Sequence, residues 1–185
     1  DKVKLYSDAV ENMYTNPSAP PLFREIFKNT FLPFRDPSTL NMFLKEINEF
    51  HYSNSENLGD AYEYLMRNFA TDSGKSKGQF YTPSEVSQII AKVIGSANIK
   101  QKSGTVYDPT AGSGSLLLKV GNETPKGITI YGQENDVATK AMAMMNMWIH
   151  NNVEADIRQG NTLANPLFRQ NSSLKTFDLV VSNPP

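Results

Sequence analysis

The chain has 185 residues, 39% of them hydrophobic and 20% charged, with a formal net charge of −1. That length suits one domain, or a small domain beside part of a larger one, and the charge excludes a protein that grips nucleic acid by its own basic excess. There is no cysteine, and the two histidines, His51 and His150, have no companions at ligand spacing, so disulfides, a thiol nucleophile and a metal site are not expected. No apolar run is long enough for a membrane span.

Residues 1–71 read as helices. Prolines at 17, 20, 21, 33 and 37 break the first part into short pieces. In "STLNMFLKEINEF", Ser38 is the predicted N-cap, and Leu40, Phe43, Leu44 and Ile47 share a face. In "ENLGDAYEYLMRNFA" the predicted face is Leu58, Ala61, Tyr62, Leu65 and Phe69. "TDSGKSKGQFYTP" is a polar joint carrying Lys75 and Lys77. It reads either as a solvated loop or as a mobile segment near a phosphate or cofactor.

Beyond the joint the pattern alternates. "PSEVSQIIAKVI" predicts a helix with Pro83 in its first turn and an apolar stripe of Val86, Ile89, Ile90, Val93 and Ile94. "GTVYD" predicts a strand, "GSLLLKV" a helix and "ITIYGQE" a second strand. "DVATKAMAMMNMWIH" predicts a helix whose face is Ala138, Ala141, Met142, Met145 and Ile149. "EADIRQG" and "FDLVVS" complete four strands. Strands alternating with helices predict an α/β fold with a parallel sheet and crossover helices.

Ligands of such sheets sit outside the carboxyl ends of the strands. All four predicted ends carry polar or glycine-rich residues: "DPTAGSGS" with Asp108, Gly112 and Gly114; Glu134; "GNTL" with Asn161; and "SNPP". The first turn lacks the lysine of a phosphate P-loop and the third glycine of a dinucleotide fingerprint. A carboxylate before a tight glycine turn favours an ammonium over a phosphate, and Glu134 can accept from two ribose hydroxyls. These features describe S-adenosylmethionine better than NAD or ATP; a glycine turn made only for packing stays open. The chain closes on Asn183, Pro184 and Pro185. Asn offers a carbonyl, and proline has an acceptor without a donor. This stiff, acceptor-rich site suits an amine with two N–H donors, whose lone pair it would localise toward a methyl donor.

In this order, "GQFYTP", "DPTAGSGS", "YGQE", "GNTL" and "SNPP" resemble the amino-methyltransferases that act on N6 of adenine in DNA. With "LGDAYEYLMRNFA" and the helical first part, the chain resembles the M subunit of type I restriction–modification enzymes, from Leu58 to Pro185. The resemblance implies a Rossmann-like S-adenosylmethionine-dependent methyltransferase fold with strand order 3-2-1-4. It implies a helical N-terminal domain at 1–71 and the methyltransferase domain from 72 to 185. Gly78, Gln79, Phe80, Tyr81, Thr82 and Pro83 match the segment closing over the methionine end of the cofactor. Asp108, Thr110, Gly112, Ser113 and Gly114 match the turn beneath it, and Glu134 the ribose carboxylate. Asn161 stands where the family often has an acidic residue near the adenine ring. Asn183, Pro184 and Pro185 match the catalytic tetrapeptide without its aromatic, which stacks on a flipped adenine.

The implied partners are double-stranded DNA, a specificity (S) subunit that reads it and a restriction (R) subunit. The implied setting is the cytoplasm of a bacterium or archaeon, with no membrane. Alternative readings are an RNA or protein-glutamine amino-methyltransferase and a non-catalytic cofactor-binding scaffold. The resemblance also predicts a truncated sheet with the Phe177–Ser182 strand as an unpaired edge. As a separate piece the chain is expected to self-associate and to be inactive.

Overall fold

The protein is described by a computed structural model that covers residues 2–28, 30–31, 36–49, 55–72, 81–99, 104–125 and 127–184. Its two compact units are Asp1–Leu58 and Gly59–Pro185.

The first unit carries α1 (Lys2–Thr15), α2 (Pro21–Phe27) and α3 (Pro37–Glu49). Pro21 sits in the first turn of α2, where its missing N–H costs nothing. At α3 the cap is Asp36, not Ser38. Its carboxylate accepts from the backbone N–H of Thr39 (3.0 Å) and Ser38 (3.4 Å), and the Ser38 hydroxyl bonds the same carboxylate. Pro37 forces this outcome, because it fits the first helical position and leaves the residue before it as the cap. Val10, Ile26 and Leu40 are buried, while Phe43 is partly exposed.

Most of α4 (Ser55–Asp72) belongs to the second unit, with α5 (Ser84–Val93), α6 (Ser115–Glu123) and α7 (Val137–Ile149). The strands are β1 (Thr105–Asp108), β2 (Thr129–Glu134), β3 (Asp156–Gln159), a β4–β5 hairpin (Arg169–Gln170, Ser173–Leu174) and β6 (Leu179–Val180). The main sheet runs β3-β2-β1-β6 with every pairing parallel. This is the predicted order, with β6 as the fourth expected strand. β6 is shorter than "FDLVVS" suggested. The Asp178 carboxylate bonds the Thr105 backbone N–H (2.8 Å) and hydroxyl at the strand's entrance, and Val181 N–H donates to Tyr107 (2.9 Å) at its exit.

Alternation in β1 places Val106 and Asp108 on one face and Tyr107 on the other. The first face packs on α6, whose Leu116, Leu117, Leu118 and Val120 are all buried. The second face holds an aromatic cluster of Tyr107, Tyr131, Phe168 and Phe177, with Tyr107 stacked on Phe177 at 4.7 Å. The Lys175 ammonium lies 3.8 Å from the Tyr131 ring centre, and the Arg158 guanidinium 4.3 Å from that of Phe168. The segment around the β4–β5 hairpin therefore covers this face. No apolar alternation announces that hairpin; its turn rests on Asn171 at φ 56°.

In three helices the most buried face is rotated from the predicted one and only partly overlaps it. In α4, Gly59 and Met66 are buried, Tyr62 is half-buried, and Leu65 is 48% exposed. A Cβ on Gly59 would lie 2.6 Å from the His150 ring, and the Tyr62 hydroxyl donates to the Met142 carbonyl at 2.8 Å. Close approach to the end of α7 thus selects the glycine face. In α5, Ser87 and Ala91 are buried, whereas Ile89 and Val93 stand 62% and 79% exposed. Two small residues at i, i+4 let α5 lie close to α6, and Val86, Ile89 and Val93 of the predicted stripe turn outward while Ile90 and Ile94 stay half-buried. Pro83 is the cap of α5 and not its first-turn residue. In α7 the buried residues are Thr139, Ala143, Met144, Asn146 and Met147, because this helix backs the turn after β1.

These faces give opposite expectations for two aliphatic truncations. Leu117→Ala should cost about 2–5 kcal/mol, and Val93→Ala should stay within about 0.5 kcal/mol of wild type. Urea unfolding of the two variants measures both.

Candidate active site

β1 lies between β2 on one side and β6 on the other. Chains leaving the two halves of such a sheet diverge, and the crevice between them is where ligands bind. A cleft of about 460 Å³ opens there. Its lining includes Thr110 after β1, Glu134 at the end of β2, Asn161 after β3 and Pro184 after β6. One cleft therefore gathers residues from all four strand ends.

The turn after β1 borders it through Pro109 and Thr110. Gly112 and Gly114 take φ of 54° and 78°, a region glycine enters without strain. Gly114 has a second reason to be glycine: a Cβ would meet the Met147 methyl at 2.6 Å. Ala111 N–H donates to the Gln133 carbonyl at 3.0 Å, which ties the turn to β2. Ser113 faces the core, where its hydroxyl pairs with that of Ser115 at 2.9 Å. Its carbonyl accepts from the buried Asn146 amide at 2.9 Å.

Asp108 is 2% exposed. One carboxylate oxygen accepts from Thr110 N–H at 2.8 Å and from its hydroxyl at 3.3 Å. Burial pushes its pKa up to about 7; the Thr110 bonds oppose the rise, and the Glu134 charge adds to it. Glu134 lines the cleft. Its two oxygens accept from Gly112 N–H (2.9 Å) and Asp136 N–H (2.8 Å), and each keeps a lone pair for another donor.

Asn161 is committed locally. Its Oδ1 accepts from Leu163 and Ala164 N–H, both at 3.0 Å, so its Nδ2 is the group left for a ligand. The same loop is pinned by Thr162, whose hydroxyl donates to the Pro109 carbonyl at 2.6 Å. Leu163 is 97% exposed at the cleft.

Across the cleft, the Ser182 and Thr110 hydroxyls pair at 2.7 Å. Asn183 donates from Nδ2 to the Thr82 hydroxyl at 3.4 Å. Tyr81 is buried against Met66, and Pro83 caps α5. Gly78, Gln79, Phe80 and Pro185 lie outside the described residues, as do Lys75 and Lys77.

Two residues that sequence reasoning passed over organise the site. Gln133 is fully buried; its Nε2 donates to the carbonyls of Gly160 and Asn165, and its Oε1 accepts from Leu167 N–H at 3.0 Å. It holds the Asn161 loop. Asn146 holds the Ser113 carbonyl. The signal available was a lone amide in an otherwise apolar strand or helix face.

Residues 53–185 match the family model described as N-6 DNA Methylase. The chain belongs to the N-6 DNA methylase family. It is 38% identical over 151 residues to the type I restriction enzyme MpnII methylase subunit of Mycoplasma pneumoniae, which covers 76% of this chain and 27% of that relative. Among solved structures, the type I restriction-modification system methyltransferase subunit from Streptococcus thermophilus matches with TM-score 0.78 and 28% identity, over 99% of this chain and 40% of that one. A class I S-adenosylmethionine-dependent methyltransferase structure from Listeria monocytogenes shares the fold at TM-score 0.64 and 14% identity. The second unit of this chain thus has the Rossmann-like α/β fold of S-adenosylmethionine-dependent methyltransferases. The chain spans 27% of the Mycoplasma pneumoniae relative and 40% of the Streptococcus thermophilus one.

A buried carboxyl with a raised pKa makes the stability of this chain depend on pH. The native state holds the Asp108 proton up to about pH 7, while the unfolded carboxyl loses it near 3.8. The stabilising term is full below 3.8 and is lost as pH rises through about 7. Asp108→Asn keeps an acceptor for Thr110 without the charge. It should be more stable than wild type by about 1–3 kcal/mol at pH 8 and lose that advantage near pH 4, as thermal unfolding across pH would read.

Proposed function

We propose that this chain is the cofactor-binding and catalytic part of a type I restriction–modification methylase subunit, transferring a methyl group from S-adenosylmethionine to N6 of adenine in DNA. One observation carries the reading: the chain leaving β6 brings Ser182 and Pro184, with Asn183 between them, to the cleft lined by Thr110 and Glu134.

The residues fit the cofactor. Gly112 and Gly114 give the turn beside the cleft its shape, and Glu134 keeps lone pairs for two ribose hydroxyls. The buried Asp108 carboxyl gains from a cation nearby. Its charge acts through the turn, since Thr110 covers it. S-adenosylmethionine, when bound, supplies an electrophilic methyl group. The Asn183 Oδ1 and the Pro184 carbonyl accept the two hydrogens of the adenine amine. Those bonds localise the nitrogen lone pair, and holding it in line with the methyl group supplies much of the acceleration. An adenine reaches these acceptors only when flipped from the duplex.

The reading includes a helical part at 1–71, a methyltransferase part from 72, and work in the cytoplasm of a bacterium or archaeon. It also includes a specificity subunit to read the DNA and a restriction subunit in the full complex. The net charge of −1 supports that division of labour, since phosphate contacts demand basic residues that a partner would supply. Among the described residues no helix is long and apolar enough to cross a membrane.

Two variants of the full-length enzyme test the assignment. Asn183→Ala should lower methyl transfer to adenine at least about a hundredfold while cofactor affinity stays within about threefold. Glu134→Gln should weaken cofactor binding by about 1.5–3 kcal/mol, because its NH2 would face a backbone N–H. Radiolabelled methyl transfer and calorimetry read the two. A fully active Asn183→Ala enzyme would remove the acceptor role.

A further inference from the structure

The Asn161 amide has one possible orientation. Its Oδ1 takes the backbone N–H of Leu163 and of Ala164, both at 3.0 Å. A backbone N–H only donates, so a half-turn that put Nδ2 in that place would set donor against two donors. The loop around it is rigidly held. Asn165 N–H closes the turn on the Asn161 carbonyl at 2.8 Å, and the buried Gln133 amide holds both ends through the carbonyls of Gly160 and Asn165. Asn161 lines the cleft, and among the described residues its NH2 group has no hydrogen-bond partner. With both lone pairs of Oδ1 in use, the side chain offers the cleft two N–H hydrogens and no acceptor.

We propose that Asn161 donates a hydrogen bond to a ring nitrogen of the cofactor's adenine and does not read the exocyclic amine of that ring. This rests on the proposed function and adds to it the kind of atom that Asn161 selects. The sheet order brings the base to this residue. In β3-β2-β1-β6 the end of β3 lies one strand beyond β2, on the side away from β6, at a spacing of about 4.8 Å. The methyl group belongs beside Asn183, after β6, and the ribose belongs at Glu134, at the end of β2. In S-adenosylmethionine the base leaves the ribose on the side opposite the sulfur, so it extends toward the loop after β3. That part of the cleft suits a flat ring: Leu163 is 97% exposed there, on a loop that the Thr162 hydroxyl pins to the Pro109 carbonyl. The edge of adenine carries ring nitrogens that only accept and an amine that donates. The Asn161 NH2 pairs with the former and meets the latter hydrogen to hydrogen. An aspartate held in the same turn would present an acceptor and reverse the preference.

Calorimetric binding to the full-length enzyme tests the assignment. The probes are S-adenosylhomocysteine, its analogue with hydrogen in place of the adenine amine, and three analogues in which N1, N3 or N7 of the adenine is replaced by carbon. Wild type should bind the amine-free analogue within about threefold of S-adenosylhomocysteine, and should lose about tenfold or more on one of the three carbon-substituted analogues. Asn161→Asp keeps an acceptor for the two backbone N–H groups and removes the donor. In that variant the carbon-substitution penalty should vanish, and loss of the amine should cost about tenfold. Ratios taken within each variant cancel any general weakening by the added charge near Glu134.

Wild-type affinity for all three carbon-substituted analogues equal to that for S-adenosylhomocysteine would overturn the proposal. So would a penalty that survives in Asn161→Asp, or a wild-type dependence on the amine as large as the variant's. Failure of the underlying function is read separately, as absence of binding by S-adenosylhomocysteine itself.

Discussion

The turn after β1 is held by hydrogen bonds from the end of β2, and the rest of the site depends on that tie. Ala111 N–H uses the Gln133 carbonyl, and Gly112 N–H uses the Glu134 carboxylate. A turn with two positive-φ glycines has little intrinsic preference for one shape. Borrowed partners on the neighbouring strand supply the preference. Because β2 continues past its last pairing with β1, the carboxylate that braces the turn is also the one facing the cleft. Glu134 cannot change orientation without releasing the turn, and the turn cannot shift without disturbing Glu134.

A second layer of amides extends this scheme. Gln133 points to the opposite face from Glu134 and ties down the loop after β3 through three bonds. Asn146 crosses from α7 to the Ser113 carbonyl. Each is fully buried, so replacing one by an apolar residue would leave orphaned backbone groups in the core. Buried polar residues here serve to define loop shape. Asp108 belongs to the same layer but carries a different burden. Its charge is disfavoured where it sits, and above neutral pH the fold tolerates that cost in the place where a cationic ligand would relieve it.

The large features were legible because they follow from periodicity. Strand and helix alternation gave the parallel sheet and the four strand ends, which do line one cleft. The helix faces were not legible, for a common reason. In α4, α5 and α7 the contact surface was chosen by small residues, Gly59, Ser87, Ala91 and Ala143, that let backbones approach. A reading weighted by hydrophobicity follows the larger side chains, and in α5 Val86, Ile89 and Val93 stand outside. Gln133 and Asn146 were missed because their work lies in satisfying loop carbonyls and N–H groups, which no single-residue scale records. The cap of α3 went to Asp36 because Pro37 fixed the register of that end. The β4–β5 hairpin lacks apolar alternation altogether, and it is held by aromatic and cationic contacts from outside its own two strands.

The short pairing of β6 has a consequence for how the sheet assembles. Val106 meets Ile130 on one side and Leu179 on the other, and Leu179 is about three times farther along the chain. Closing the longer loop costs about 1 kcal/mol more in chain entropy, and only two residues pair at the end of it. The β3-β2-β1 half, with its turn and its carboxylate, can therefore form from local contacts first. The strand bearing Asn183 docks afterwards and is the first to fray, so its amide protons would exchange soonest among those of the four strands.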